Sequence, residues 1–285
     1  MHPLLALAII LGSTTVSLLI GAGVLHLLGR LGPTGRQLSA WLCRGLGLDL
    51  VITYFTAVPL VAGPVTGASS LASTWGVWPG IVLGLAAAVA GQVLGVCIWT
   101  VLHELAHRDA VKGPRIVKVI NRMFGAWRNH AAVWCTALCV PVFFLVRVAE
   151  YVVYPPLTWL IKLPKYKSAD WVNVSRHKFR GLVGHDLIWC LYCDWMTGVW
   201  SLGTEMLRNV ESFWCPIRFD SSKKCENCRV DFPDIGTGWV PADGTMTQVE
   251  ERLVEKYSRE GPNAWFGHPA RLTINGKPQG GPPAP

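Results

Sequence analysis

Residues 81–102 run for 22 positions without a charge, and Gln92 and Thr100 are their only polar side chains. A helix of that length crosses about 30 Å of hydrocarbon, where no water is present and every backbone group must bond within the segment. Residues 4–28 form a second such run. Residues 46–65 form a weaker one, interrupted by Asp49, Pro59 and Gly63, and the uncharged Gly/Ser/Thr-rich stretch 67–74 follows it. Residues 131–163 are too many for one straight crossing and include Pro141, Arg147, Glu150, Pro155 and Pro156, which predicts a bent hairpin or a fourth span. Composition agrees: 51% of the residues are apolar and 15% are charged, against about a quarter charged in soluble domains. This excludes a disordered chain, and 9 Cys among 285 residues exclude a small disulfide scaffold. The expected class is an all-α integral membrane protein over residues 1–163, with three spans plus the hairpin or fourth span. A small, partly helical C-terminal domain, residues 164–285, follows it. Residues 203–214 and 247–257 are the helix candidates there, the second opening with Thr247 three residues before Glu250 as a capping box.

The net charge of +8 is concentrated: residues 104–180 hold 13 of the 26 Lys and Arg. A basic collar bordering apolar spans fits a membrane surface, so lipid is the expected partner and nucleic acid is not. Arg30, Arg36 and Arg44 follow the first run and no Lys or Arg precedes it, which predicts an N-terminus outside. The same rule places His103 and the C-terminal domain in the cytoplasm, in a membrane of inner or plasma type. Within the collar, Ile116, Val119, Ile120, Met123, Phe124 and Trp127 recur at helical spacing while Arg115, Lys118 and Arg122 share another face, predicting an interfacial helix near 113–129.

The sharpest chemical motif is His103-Glu104-Leu105-Ala106-His107, an HExxH at the end of the third run. At i and i+4 the two imidazoles share one helical face and reach one metal ion. In a zinc hydrolase Glu104 is the general base on a metal-bound water, and Asp186 or Asp194 is the candidate third ligand. In a membrane iron oxygenase the pair is the first of several histidine boxes.

The string His103 to His107 followed by Arg108, directly after a span and before a basic stretch, resembles the first histidine box of the membrane di-iron alkane hydroxylases, relatives of the fatty-acid desaturases. The resemblance implies an all-helical membrane fold, cytoplasmic histidine clusters that hold two irons, and oxidation of hydrocarbon chains by dioxygen. It gives His103 and His107 ligand roles. The later boxes of that family, with adjacent histidines, do not occur here. Further ligands are therefore expected among His130, His177 and His185, with carboxylates or thiolates such as Asp186.

Sulfur supplies a second constellation. Cys190 and Cys193 form one CxxC, Cys225 and Cys228 another, and 31 residues separate them. Two such knuckles can hold a second, structural metal, although zinc ribbons space them by about 15 to 20 residues. Arg147 and Glu150 read as an ion pair inside the membrane. These features lead to one expectation and two rivals. The expectation is a membrane-integral, iron-dependent oxidoreductase acting on a hydrophobic substrate and served by an electron donor. One rival is a zinc metalloprotease in which Glu104 is the catalytic base. The other is a non-catalytic subunit that packs among partner subunits of a larger membrane complex.

Overall fold

The computed structural model describes residues 2–179, 181–217, 239–241, 243–257, 263, 273–274 and 277–278. Helices dominate them: α1 (Pro3–Leu28), α2 (Gly32–Leu42), α3 (Gly45–Trp75), α4 (Val77–Ala106), α5 (Arg108–Lys112), α6 (Ile116–Phe124), α7 (Ala126–Ala137) and α8 (Val140–Val148). A π-helical turn, Ala149–Val153, leads into α9 (Tyr154–Leu160); α10 (Ser168–Trp171), a 3₁₀ turn at Arg176–Lys178, α11 (Gly184–Trp214) and α12 (Met246–Lys256) follow. Thr273–Ile274 and Lys277–Pro278 pair as a short antiparallel ladder. Four helical segments are long and apolar enough to cross a membrane: Pro3–Leu28, Gly45–Trp75, Val77–Ala106 and Ala126–Leu160, the last running from α7 to α9. The described residues are thus predominantly helical, with the length and apolarity of an α-helical membrane protein. Its chain divides into two compact units, Met1–Val140 with Val172–Met196, and Pro141–Trp171 with Thr197–Pro285.

In the first unit α3 and α4 form an antiparallel pair closed by small residues. A Cβ on Gly67 would meet Gly80 O and, at 2.7 Å, Gly84 Cα; one on Gly63 would meet Gly84 O at 2.6 Å. Backbone therefore touches backbone, the arrangement by which helices associate where lipid is as apolar as any leucine. Pro59 and Pro64 sit inside α3 without ending it. Gln92 Nε2 donates to Phe55 O and Thr56 O at 3.0 Å each, and so satisfies two carbonyls of α3 in the prolines' vicinity. α1 packs on α4 through Gly91, whose added Cβ would meet Leu11 O at 2.7 Å. The α3–α4 corner is one residue, Gly76, at φ +89°, a conformation that only glycine adopts without strain.

Several sequence expectations shift. The second span continues through residues 67–74 to Trp75, because small residues that look like a linker are the ones α4 packs against. The interfacial helix ends at Phe124: Gly125, at φ +90°, breaks it, and Ala126 opens the helix that begins the fourth span. On α6, Ile116, Val119, Met123 and Phe124 are exposed together. The capping box of α12 is built by Thr245 and Gln248, two residues earlier than Thr247 and Glu250: Gln248 N donates to Thr245 Oγ1 at 3.4 Å and Thr245 N to Gln248 Oε1 at 2.8 Å.

In the second unit, α8 and the π-helical turn meet the C-terminal half of α11. Arg147 binds Glu150, Tyr151 OH at 2.5 Å and Ser168 Oγ at 2.9 Å, so the expected ion pair is present and extended. Tyr257, following α12, donates to Ser212 O at 2.6 Å, and Asn263 Nδ2 donates to Ile161 O at 2.8 Å.

Candidate functional site

The HExxH occupies the last turns of α4, and its i, i+4 spacing stacks the two rings: the His103 and His107 centroids are 4.3 Å apart at an interplanar angle of 24°. Trp99 covers the other face of His103 at 4.5 Å. The third ring is His26, near the end of α1, edge-on to His103 at 6.3 Å and to His107 at 6.2 Å. Sequence reasoning counts His26 among the available histidines but gives it no ligand role. The signal was there, since α1 and α4 are both followed by arginines and so end at one membrane face.

Hydrogen-bond partners fix the proton on each ring. Gly184 N–H donates to His103 Nδ1 at 3.2 Å, so neutral His103 carries its proton on Nε2. His107 Nδ1 lies 2.9 Å from the His103 carbonyl, which only accepts; His107 therefore donates from Nδ1 and keeps a lone pair on Nε2. Arg30 Nη2, a donor, lies 3.2 Å from His26 Nε2 and occupies that lone pair.

Glu104 and Asp186 meet at one guanidinium. Arg115, only 3% exposed, donates from Nη2 to Glu104 Oε1 at 2.8 Å and to Val183 O at 2.9 Å, and from Nε to Asp186 Oδ2 at 2.9 Å. Val117 N donates to Asp186 Oδ1, also at 2.9 Å. Burial alone would raise the Asp186 carboxyl, but the nearby His185 ring, 4.0 Å away, and the hydrogen bonds from Arg115 and Val117 outweigh it and hold the carboxyl below its usual range. Burial likewise opposes the charge on Arg115, and its two carboxylate partners overcome it, raising the guanidinium further. Glu104 also borders a recess of about 310 Å³ lined by Val101, Leu105, Arg108 and Val111.

The remaining predicted residues lie in other groups. His130 is edge-on to His185 at 4.9 Å, and His185 Nε2 accepts from Trp189 Nε1 at 3.1 Å. His177 stands in the exposed 3₁₀ turn. Asp194 binds Arg176 at 2.7 Å and accepts from the N–H groups of Ser175 and Arg176, which makes it the anchor of that turn. Cys190 and Cys193 lie one turn apart on α11, not joined in a disulfide; burial, countered in part by Arg176, raises the Cys190 thiol and disfavours the thiolate that a metal requires. Cys225 and Cys228 lie outside the described residues.

As they are placed, His103 and His107 do not offer two Nε2 lone pairs to one ion. A metal bound at Nε2 needs a lone pair there and a proton on Nδ1, the form of His107; His103 has the opposite form, and Arg30 occupies the nitrogen that His26 would offer. Asp186 and Glu104 are committed to Arg115. Among the described residues, no group of three or more His, Cys, Asp and Glu side chains is placed to hold an ion. Comparison with protein-family models, with curated proteins and with solved structures finds no match.

Proposed function

We propose that this chain is a non-catalytic subunit of a larger membrane assembly, a lipid-embedded framework in which the HExxH works as a clamp. The observation that carries this reading is the use of the motif's side chains. His103 receives the Gly184 N–H and Glu104 receives Arg115, so the end of α4 is tied to the segment opening α6 and to the start of α11. Arg115 and Asp186 form a buried ion pair while Glu104 is partly exposed, and removing one partner of a buried pair costs about 3–5 kcal/mol. The basic, apolar-faced α6 beside the clamp supports a role at the membrane surface.

The test is purification of the full-length chain from its own membranes in mild detergent, with protein mass spectrometry and elemental analysis. Stoichiometric partner proteins are expected, together with iron and zinc far below one per chain. Arg115→Met should disperse the partners, while His107→Ala should leave them bound. Stoichiometric iron or zinc that is lost in His107→Ala would overturn the proposal in favour of a metal-dependent oxidoreductase or a zinc protease. Glu104→Gln then separates those two, because only the protease needs that carboxylate as a base.

A further inference from the structure

The C-terminal half of α11 is inside out for a helix in water. Its buried positions are Val199, Leu202, Glu205, Arg208, Asn209 and Ser212, at three- and four-residue steps, and from Glu205 onward all are polar. On the opposite side Trp200, Leu207 and Trp214, at seven-residue steps and so on one face, are 58%, 63% and 59% exposed. In water this helix would gain by turning round, since a glutamate and an arginine are hidden while two tryptophans and a leucine are wetted. In lipid the preference reverses: apolar groups belong outside, and ionisable ones face the protein interior and pair there.

Neighbours within the same unit set its depth. The Trp200 ring lies 6.0 Å from that of Phe143, and a Cβ on Gly203 would meet Val146 Cγ1 at 2.8 Å and Glu150 Oε1 at 3.5 Å. Phe143, Val146 and Glu150 occupy the middle of the apolar segment Ala126–Leu160. That segment exposes Leu145, Val152 and Val153, so the outward face of α11 continues an apolar belt already suited to lipid. The inward seam has protein partners: Tyr166 OH donates to Glu205 Oε1 at 3.2 Å, and Asn209 Nδ2 reaches the Tyr166 oxygen at 2.7 Å. Glu150 is presented from the π-helical turn, a distortion that re-aims a side chain within a helix.

We infer that residues 197–210 of α11 sit in the lipid beside the fourth span, with Trp200 and Leu207 against acyl chains and the Glu205–Arg208–Asn209 seam turned away from them. Glu211, exposed one turn beyond Leu207, and Trp214 then mark the level where the helix reaches the headgroups. Hydropathy passes over this stretch because its inward polar residues dilute the apolar outward ones.

The test places a nitroxide on a genetically encoded keto amino acid at position 207 of the full-length chain, which leaves the native cysteines untouched, in nanodiscs of phosphatidylcholine and phosphatidylglycerol. Collision rates with oxygen, which concentrates in lipid, and with a water-soluble nickel chelate are then compared. Oxygen should outweigh nickel several-fold at 207 and at 200, and nickel should outweigh oxygen at 109, where Asp109 is fully exposed. Nickel dominance at both 200 and 207 puts the helix in water and overturns the inference. Protection of both positions from both reagents also overturns it, because another protein then covers this face. Agreement between the two positions guards against a fold disturbed by either label.

Discussion

On the side of α3 and α4 toward their Gly76 corner, the two helices meet backbone to backbone through Gly63, Gly67, Gly80 and Gly84. At the end of the same α4, the contact is made instead by Arg115 reaching both Glu104 and Asp186. Depth accounts for the difference. In hydrocarbon, apolar side chains gain nothing by leaving lipid for protein, and close van der Waals approach of small residues is the attraction that remains. At the membrane face water competes for charges, so an ion triad holds only where it is sealed, and Arg115 and Asp186 are 3% and 5% exposed. The first contact tolerates no added volume, and the second tolerates no lost partner.

The largest expected effect is at the sealed guanidinium. Arg115→Met keeps the length and apolar stem but leaves buried Asp186 without its counter-charge, keeping the Val117 N–H bond, and leaves Val183 O without its donor. Thermal unfolding in detergent should show a loss of about 3–5 kcal/mol. A loss below about 1 kcal/mol would mean that water replaces the guanidinium and that the face is not sealed.

Gly67→Leu comes next. Its new atoms would run into the backbone of Gly80 and Gly84, which cannot turn aside as a side chain can, so α3 and α4 must separate at a cost of about 1–3 kcal/mol. Gly12→Leu is the control, because a Cβ there meets nothing within 4 Å. Equal losses from the two leucines, read as the unfolding midpoint in SDS titration, would remove the close-approach argument.

The two contacts were not equally legible in the sequence. The spans could be read because a long uncharged run has few alternatives to a membrane helix, and the glycine spacing lay in plain view. Yet the second predicted run ends at residue 65, before 67–74, since Gly, Ser and Thr favour helix only once a partner helix packs against them. The clamp was not legible at all. Arg115 and Asp186 are 71 residues apart, and each alone looks like an ordinary collar charge or a candidate ligand. The HExxH could be read as a pattern, but the pattern carries no tautomer: Gly184 N–H decides that His103 holds its proton on Nε2, and that contact exists only in three dimensions. In α11 the sequence predicts a helix only over 203–214, because Asp186, Cys190, Cys193 and Asp194 in the stretch before it read as candidate metal ligands.

Acid should separate the contacts further. Since folding holds Asp186 below its ordinary value, the unfolded chain takes up the proton first as pH falls. Its contribution is complete above the unfolded carboxylate value of about 3.9 and is lost as pH drops through the lower folded value. The melting temperature should therefore stay level between about pH 7 and 5 and decline below about 4, less steeply in Asp186→Asn. Gly67→Leu, which touches no titrating group, should keep the wild-type acid slope from a lower starting point. An unchanged slope in Asp186→Asn would assign the acid sensitivity to other carboxylates.

The smallest effect belongs to the one buried hydroxyl that joins the two styles of contact. Thr15 Oγ1 lies 3.0 Å from Gly91 O on α4 and 2.9 Å from Leu11 O on its own helix. A hydroxyl has a single proton, so only one carbonyl receives it at a time, and the other is already satisfied by its helical N–H. Thr15→Val keeps the shape while removing that proton, and the cost should be near the roughly 0.6 kcal/mol typical of hydrogen bonds between membrane helices. Unfolding in SDS resolves such a difference when Gly12→Leu is run beside it as a neutral reference. A loss above about 2 kcal/mol would exceed what one shared proton supplies and would mean that α1 depends on polar bonding, not on close packing at Gly91, to stay with α4.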